Sequence, residues 1–159
     1  RKNVHIWTGT GDQTNSTPNN ARLRFGSYVS YGWGISASDN PFRLVQPYIW
    51  QVDREIKFEW MIQVSIQDAT SDYVYFKMYF KDTQDTDESP QAAIHSGRIS
   101  SANNNSTGVN LRMQNTVFLH GYHKASANQY FSLVTECRSG RNCGNVRILS
   151  SAFREMFEE

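Results

Sequence analysis

From residue 56 to residue 66 the chain reads I-K-F-E-W-M-I-Q-V-S-I. Ile56, Phe58, Trp60, Ile62, Val64 and Ile66 occupy every second position, and Lys57, Glu59, Gln63 and Ser65 fill the gaps, with Met61 alone breaking the polar face. Successive side chains of a strand point to opposite faces, so this stretch is oily on one side and wet on the other. A helix would scatter the same apolar residues around its circumference. The pattern predicts a long, half-buried β-strand in an antiparallel sheet that packs one face on a core.

Weaker versions of the pattern recur on both sides. V-H-I-W at residues 4–7 is a short strand, and residues 8–20, rich in Gly, Asn, Ser, Thr and Pro, read as a loop. Residues 21–29 predict a strand with Leu23, Phe25 and Ser27 on one face and Arg22 and Arg24 on the other. The G-W-G-rich residues 31–40 suit a turn or bulge, and Pro41 and Pro47 make residues 42–50 a broken edge element. Residues 73–80 alternate Val74, Phe76, Met78 and Phe80 with Tyr75, Lys77 and Tyr79. Only a short polar turn separates them from the first strand, which predicts an antiparallel pair. Residues 82–90 form an acidic loop, 92–99 a weak strand, and 100–108 an Asn/Ser loop. Residues 109–113 and 116–122 are two short strands or one bulged strand, 130–136 is a strand, and 146–149 runs on through Phe153 as the last. With about eight strands, no long helix and no repeat, the expected fold is all-β, an eight-stranded antiparallel jelly-roll sandwich. Residues 1–20 form an N-terminal segment, the end of a basic arm, and residues 21–159 the jelly-roll domain.

Composition narrows the picture. The 159 residues fit one domain, and the 13% of aromatic residues suits strands. No apolar run approaches the roughly 20 residues of a membrane helix. A net charge of +1 is far from the strongly basic balance of a typical nucleic-acid-binding domain. Two cysteines, Cys137 and Cys143, flank R-S-G-R-N; they are either two thiols or a disulfide across a hairpin loop, and a disulfide would imply an extracellular setting.

Candidate chemistry is sparse. His120 and His123 in H-G-Y-H face opposite sides of a strand, which argues against a shared metal. Asp82, Asp85 and Asp87 crowd one loop and are the ligands calcium would use, although the loop lacks the spacing of an EF-hand. No cofactor is otherwise implied. There is no nucleophile elbow and no dinucleotide fingerprint, so the chain is not read as an enzyme. A glycosidase-type carboxylate pair assembles only in the fold and stays open here. Asn15, Asn104 and Asn105 head N-x-S/T triplets in loops. Tyr75, Tyr79, Trp7, Trp33 and Trp50 are either interface aromatics or residues covered by a second layer.

Two resemblances follow. N-P-F-R-L-V-Q-P-Y-I-W-Q-V at residues 40–52, the long strand after it, and the closing order T-V-F-L-H, Y-F-S-L-V and a strand ending at Ala152-Phe153 resemble the tumour necrosis factor and complement globular-head family. Here Pro47-Tyr48 lacks the family's intervening glycine, and its closing F-x-G-x-L strand is absent. The chain's size, its Arg1-Lys2 start and its polar loops resemble the single-domain capsid protein of small satellite viruses, of the type of the extra small virus of prawns. That resemblance implies a virion protein that self-assembles into an icosahedral shell around RNA, with a basic arm preceding the jelly roll and no membrane partner. Its RNA contacts would be Arg1 and Lys2, with Arg22, Arg24, Arg43, Arg112 and Arg147 on the inner wall. The first resemblance implies instead a trimeric extracellular binding module. A third possibility is a carbohydrate-binding sandwich that stacks Trp and Tyr on sugar rings.

Overall fold

The computed structural model describes residues 2–12, 17–26, 28–31, 35–36, 42–44, 55–81, 93–96, 99–100, 112–124 and 130–156. They form two antiparallel sheets and no helix. The expected strand count of eight is not reproduced. Six long strands carry the architecture: β1 (Lys2–Asp12), β5 (Glu55–Gln67), β6 (Tyr73–Lys81), β9 (Arg112–Lys124), β10 (Tyr130–Cys137) and β11 (Asn145–Met156). Five segments of two to four residues complete them: β2 (Tyr28–Tyr31), β3 (Ile35–Ser36), β4 (Phe42–Leu44), β7 (Ala93–His95) and β8 (Ile99–Ser100).

The first sheet has the order β2-β1-β11-β5-β9, and the second β3-β4-β10-β6-β7, with β8 also on β6. The last two strands in sequence, β11 and β10, each sit in the middle of a sheet. Neither sheet is complete until the C-terminal part of the chain has been placed, so the fold rests on long-range pairings that are slow to form.

Packing follows the alternation. Phe58, Trp60, Ile62, Val64 and Ile66 of β5 are fully buried, as are Val74, Phe76 and Met78 of β6. Rings from the two sheets interlock: Trp60 meets Phe131 edge-on at 5.2 Å, Phe58 meets Phe80 at 5.8 Å, and Trp7 meets Phe131 at 6.3 Å. Each such pair adds about 0.5–1.5 kcal/mol beyond the area it buries.

Several expectations need correction. β5 and β6 are not a hairpin pair: β5 lies between β11 and β9, while β6 pairs with β10. The polar turn at residues 68–72 carries the chain from one sheet to the other, because both strands present apolar faces to the same core. The domain does not begin at residue 21, since β1 is embedded in the first sheet. Residues 8–12 are strand rather than loop; β1 and β11 bulge at the same level, between Thr8 and Gly11 and between Ile148 and Ser150. A side chain at Gly9 would lie 2.3 Å from the carbonyl oxygen of Ile148, so glycine there permits close backbone approach rather than marking a loop. Residues 21–26 keep the expected alternation, with Leu23 and Phe25 buried and Arg24 exposed, but make only an isolated bridge, Arg22 to Val134. Of the two readings open for Trp7, the covered one holds: it is core. Residues 112–124 form one continuous strand.

Candidate interaction face

The face of the first sheet turned away from the core is built by the same alternation that buries its other side. Cross-strand register arranges it in rows. Ile6 of β1 faces Ala152 of β11, Ala152 faces Met61 of β5, and Met61 faces Phe118 of β9. With strands about 4.8 Å apart, this apolar row crosses about 14 Å of sheet. Met61 is 45% exposed, Phe118 48% and Tyr122 62%; Leu149, the extra residue of the β11 bulge, is 38% exposed.

Polar rows flank it. On one side Arg154, Glu59 and His120 lie in line, then Lys57 opposite Tyr122. Arg154 pairs with Glu59 at 3.7 Å, and the Lys57 ammonium lies 5.8 Å from the Tyr122 ring centre. On the other side the Thr116 hydroxyl donates to Gln63 Oε1 at 3.1 Å. Arg147 and Lys124 share this face by strand register. Lys57, Lys124, Arg147 and Arg154 share this face with Glu59, and the register sets Glu55 opposite Lys124 and Asp12 opposite Arg147. This face thus sets exposed aromatic rings among basic residues, most of them with an acidic residue across the strand.

Beneath this face, His5 Nε2 and Glu155 Oε2 meet at 3.1 Å in the core, with His5 fully buried and Glu155 at 2% exposure. The pair joins β1 to β11 beside the rings of Trp7 and Phe153. At one pole, residues 138–144 are tied to residues 17–20 and 68–72. Arg138 donates twice to Asp72, at 2.9 and 2.8 Å, and lies over Tyr73. The Asp72 carboxylate holds the Arg138 guanidinium above its ordinary pKa. Cys143 donates its backbone N–H to the Thr17 carbonyl at 2.7 Å, and Asn142 bonds Thr70. Burial pushes the Cys143 thiol well above the ordinary thiol range, and its hydrogen bond with Cys137 pushes it further.

The residues named from sequence do not converge. Arg147 lies on the outer face of the first sheet, while Arg22 and Arg24 lie on the segment beside β10 of the second. Lys2, Arg43 and Arg112 belong to β1, β4 and β9, their side chains not described; Arg1, Asp82, Asp85 and Asp87 lie outside the described residues, as do Trp33 and Trp50. His120 and His123 do take opposite faces, His123 stacked on Phe80 with ring centres 3.6 Å apart. Among the described residues no group of three His, Cys, Asp or Glu side chains could hold a metal. Sequence reasoning missed Phe118 and Tyr122, although their signal was present: they alternate with Val117 and Leu119.

No family model and no curated protein matches this chain. Solved structures do. Murine APRIL at pH 8.5 superposes with a TM-score of 0.54 at 9% identity, covering 98% of this chain and 100% of that one. Eiger TNF from S. frugiperda gives 0.54 at 8% identity, covering 98% and 92%. The PRD1 vertex protein P5 gives 0.49 at 13%, covering 99% and 96%. At such identities the likeness shows the fold: an all-β, jelly-roll-like sandwich of the tumour necrosis factor type.

Proposed function

We propose that this chain is a structural subunit of a virion, a jelly roll that assembles with copies of itself into a closed shell around RNA. The outer face of the five-stranded sheet is the wall that meets the RNA. The observation carrying this reading is the co-location of Lys57, Lys124, Arg147 and Arg154 with exposed Phe118 and Tyr122. Lysine and arginine neutralise phosphates without reading sequence, and exposed rings stack on unpaired bases. Lysine is depleted in the cores of protein interfaces, so this mixture suits a nucleic acid better than a dry subunit contact. The test is to purify assembled protein, image it by electron microscopy and measure its RNA content across a salt series. Closed particles whose RNA content falls with salt, and falls further in Lys57→Glu/Lys124→Glu, support the reading.

A second reading is favoured by one specific observation, the apolar row Ile6–Ala152–Met61–Phe118. Buried between copies, that row would build a compact trimer, the extracellular binding module that the tumour necrosis factor resemblance implies. Light scattering separates the two. A stable trimer without RNA, dissociated by Phe118→Ser and never forming larger particles, replaces the shell with the module.

A further inference from the structure

We propose that β9 is a docking edge for a second copy of this chain, the two strands pairing antiparallel about a two-fold axis at His120. The ends of the two sheets are not alike. Among the described residues, β2, β3 and β7 close three of them with segments of four, two and three residues. The remaining end is β9, thirteen residues long, paired with β5 on one side and with no described strand on the other. A strand edge presents a row of backbone N–H and C=O groups to any chain that can pair with them, and folds ordinarily blunt it by shortness, proline, bulges or charge. Between its basic ends β9 has none of these. From Met113 to His123 it holds no proline and no Asp, Glu, Lys or Arg, and its register with β5 runs without a bulge from Arg112 to Lys124.

The side chains of β9 suit a copy of the same strand. Thr116, Phe118, His120, Tyr122 and Lys124 are exposed on one face, and Val117 and Leu119 are buried on the other. Pairing centred on His120 sets Phe118 opposite Tyr122 of the second copy, and His120 opposite its own counterpart. Every exposed ring of the strand then meets a ring, and directly opposed aromatic pairs are stabilising units of a sheet. Lys124 faces Thr116, so no like charges are opposed. Centring on Phe118 instead would set Arg112 against Lys124, and centring on Leu119 would set Tyr122 against Thr116. The paired length, from Thr116 to Lys124, covers about 30 Å of edge. The row Ile6–Ala152–Met61–Phe118 continues onto Tyr122 of the second copy, and the two first sheets become one continuous sheet.

This contact supplies one of the copy-to-copy contacts of the shell and rests on that reading only in its claim of self-association, not in its claim about RNA. It differs from the compact trimer. A two-fold contact pairs the same strand with itself and closes at two copies, whereas the trimer buries the outer face of the sheet. Edge pairing leaves that face open, with Lys57 and Arg154 on it.

The experiment uses the whole chain, freed of nucleic acid by nuclease, as His120→Cys and Phe118→Cys, each treated with a short bis-maleimide and run on a denaturing gel. Two residues at the axis have Cβ atoms about 5 Å apart, while the two Phe118 positions lie about 14 Å apart. His120→Cys should therefore link into a dimer and Phe118→Cys should not; the wild type, whose own two thiols are buried, is the control. In light scattering, His120→Glu should weaken association about fivefold by opposing two carboxylates, and Thr116→Glu, facing Lys124, should tighten it by about the same factor. Amide exchange along β9 should slow as protein concentration rises. No link in His120→Cys, equal linking in the two variants, a trimer that leaves β9 exchange unchanged, or slow β9 exchange at every concentration because the chain itself covers the edge would overturn the proposal. A linked dimer with no closed particle under any condition would sink the shell and support this contact.

Discussion

The two outer faces of the sandwich differ, although both arise from the same alternation. On the first sheet Met61, Phe118 and Tyr122, which point outward from β5 and β9, keep about half their surface. On the second sheet the central outward residues of β6 and β10 are covered, with Lys77 at 7%, Tyr79 at 4%, Ser132 at 1% and Val134 at 0% exposure. Residues 20–23 lie along β10, and Lys77 Nζ donates to Asn20 Oδ1 at 2.7 Å while lying 5.5 Å from the Tyr79 ring centre. A polar-looking face can therefore be interior, and an aromatic one can be surface. Monomers rarely expose large apolar patches without use, so the uncovered face is where function is to be sought.

The comparison can be broken at several levels. The largest effect should come from the core that sets both faces. Trp60→Ala removes a fully buried ring packed against Phe25, Phe131 and Phe153. It should cost about 3–5 kcal/mol in denaturant unfolding, and both faces should melt together. A loss below about 1 kcal/mol would mean that the sheets do not share one core. Next is Glu155→Ala, which leaves His5 buried without its carboxylate partner; about 3 kcal/mol is expected, and Glu155→Gln should cost less because an amide can still bond the imidazole.

The sharpest test sets one lysine against another. Lys77→Ala, on the covered face, should cost about 1.5–3 kcal/mol through its lost hydrogen bond. Lys57→Ala, on the exposed face, should stay within about 0.5 kcal/mol. Equal costs would erase the distinction. Phe118→Ser and Tyr122→Ser should likewise leave unfolding within about 0.5 kcal/mol while weakening RNA retention or self-association. The smallest effect is at the pole. Because the folded Cys143 thiol titrates above its ordinary value of 9.0, the unfolded chain releases that proton first as pH rises. The protein should lose stability above that pH, all of the contribution being present below it. Equilibrium unfolding of the wild type and of Cys143→Ser across alkaline pH checks it.

Much of the fold was legible in the order of residues because strand burial has a period of two. Ile62 and Val64 had to share a face whatever covered them, and the same rule placed β6, β10 and the run through Phe153. Periodicity carries no information about which strand lies beside which, and the short turn between β5 and β6 suggests a pairing that their places in opposite sheets exclude. It also cannot tell a glycine in a loop from one that lets two bulged strands approach, as Gly9 does at Ile148. The candidate site was half legible: Phe118 and Tyr122 alternate with core residues in plain view. That they line up with Met61, Ala152 and Lys57 depends on strands separated by tens of residues, and only tertiary pairing sets that register. Whether an outward residue meets water, as Met61 does, or is covered, as Lys77 is, depends on where distant segments come to rest, and no local pattern of polar and apolar residues encodes that.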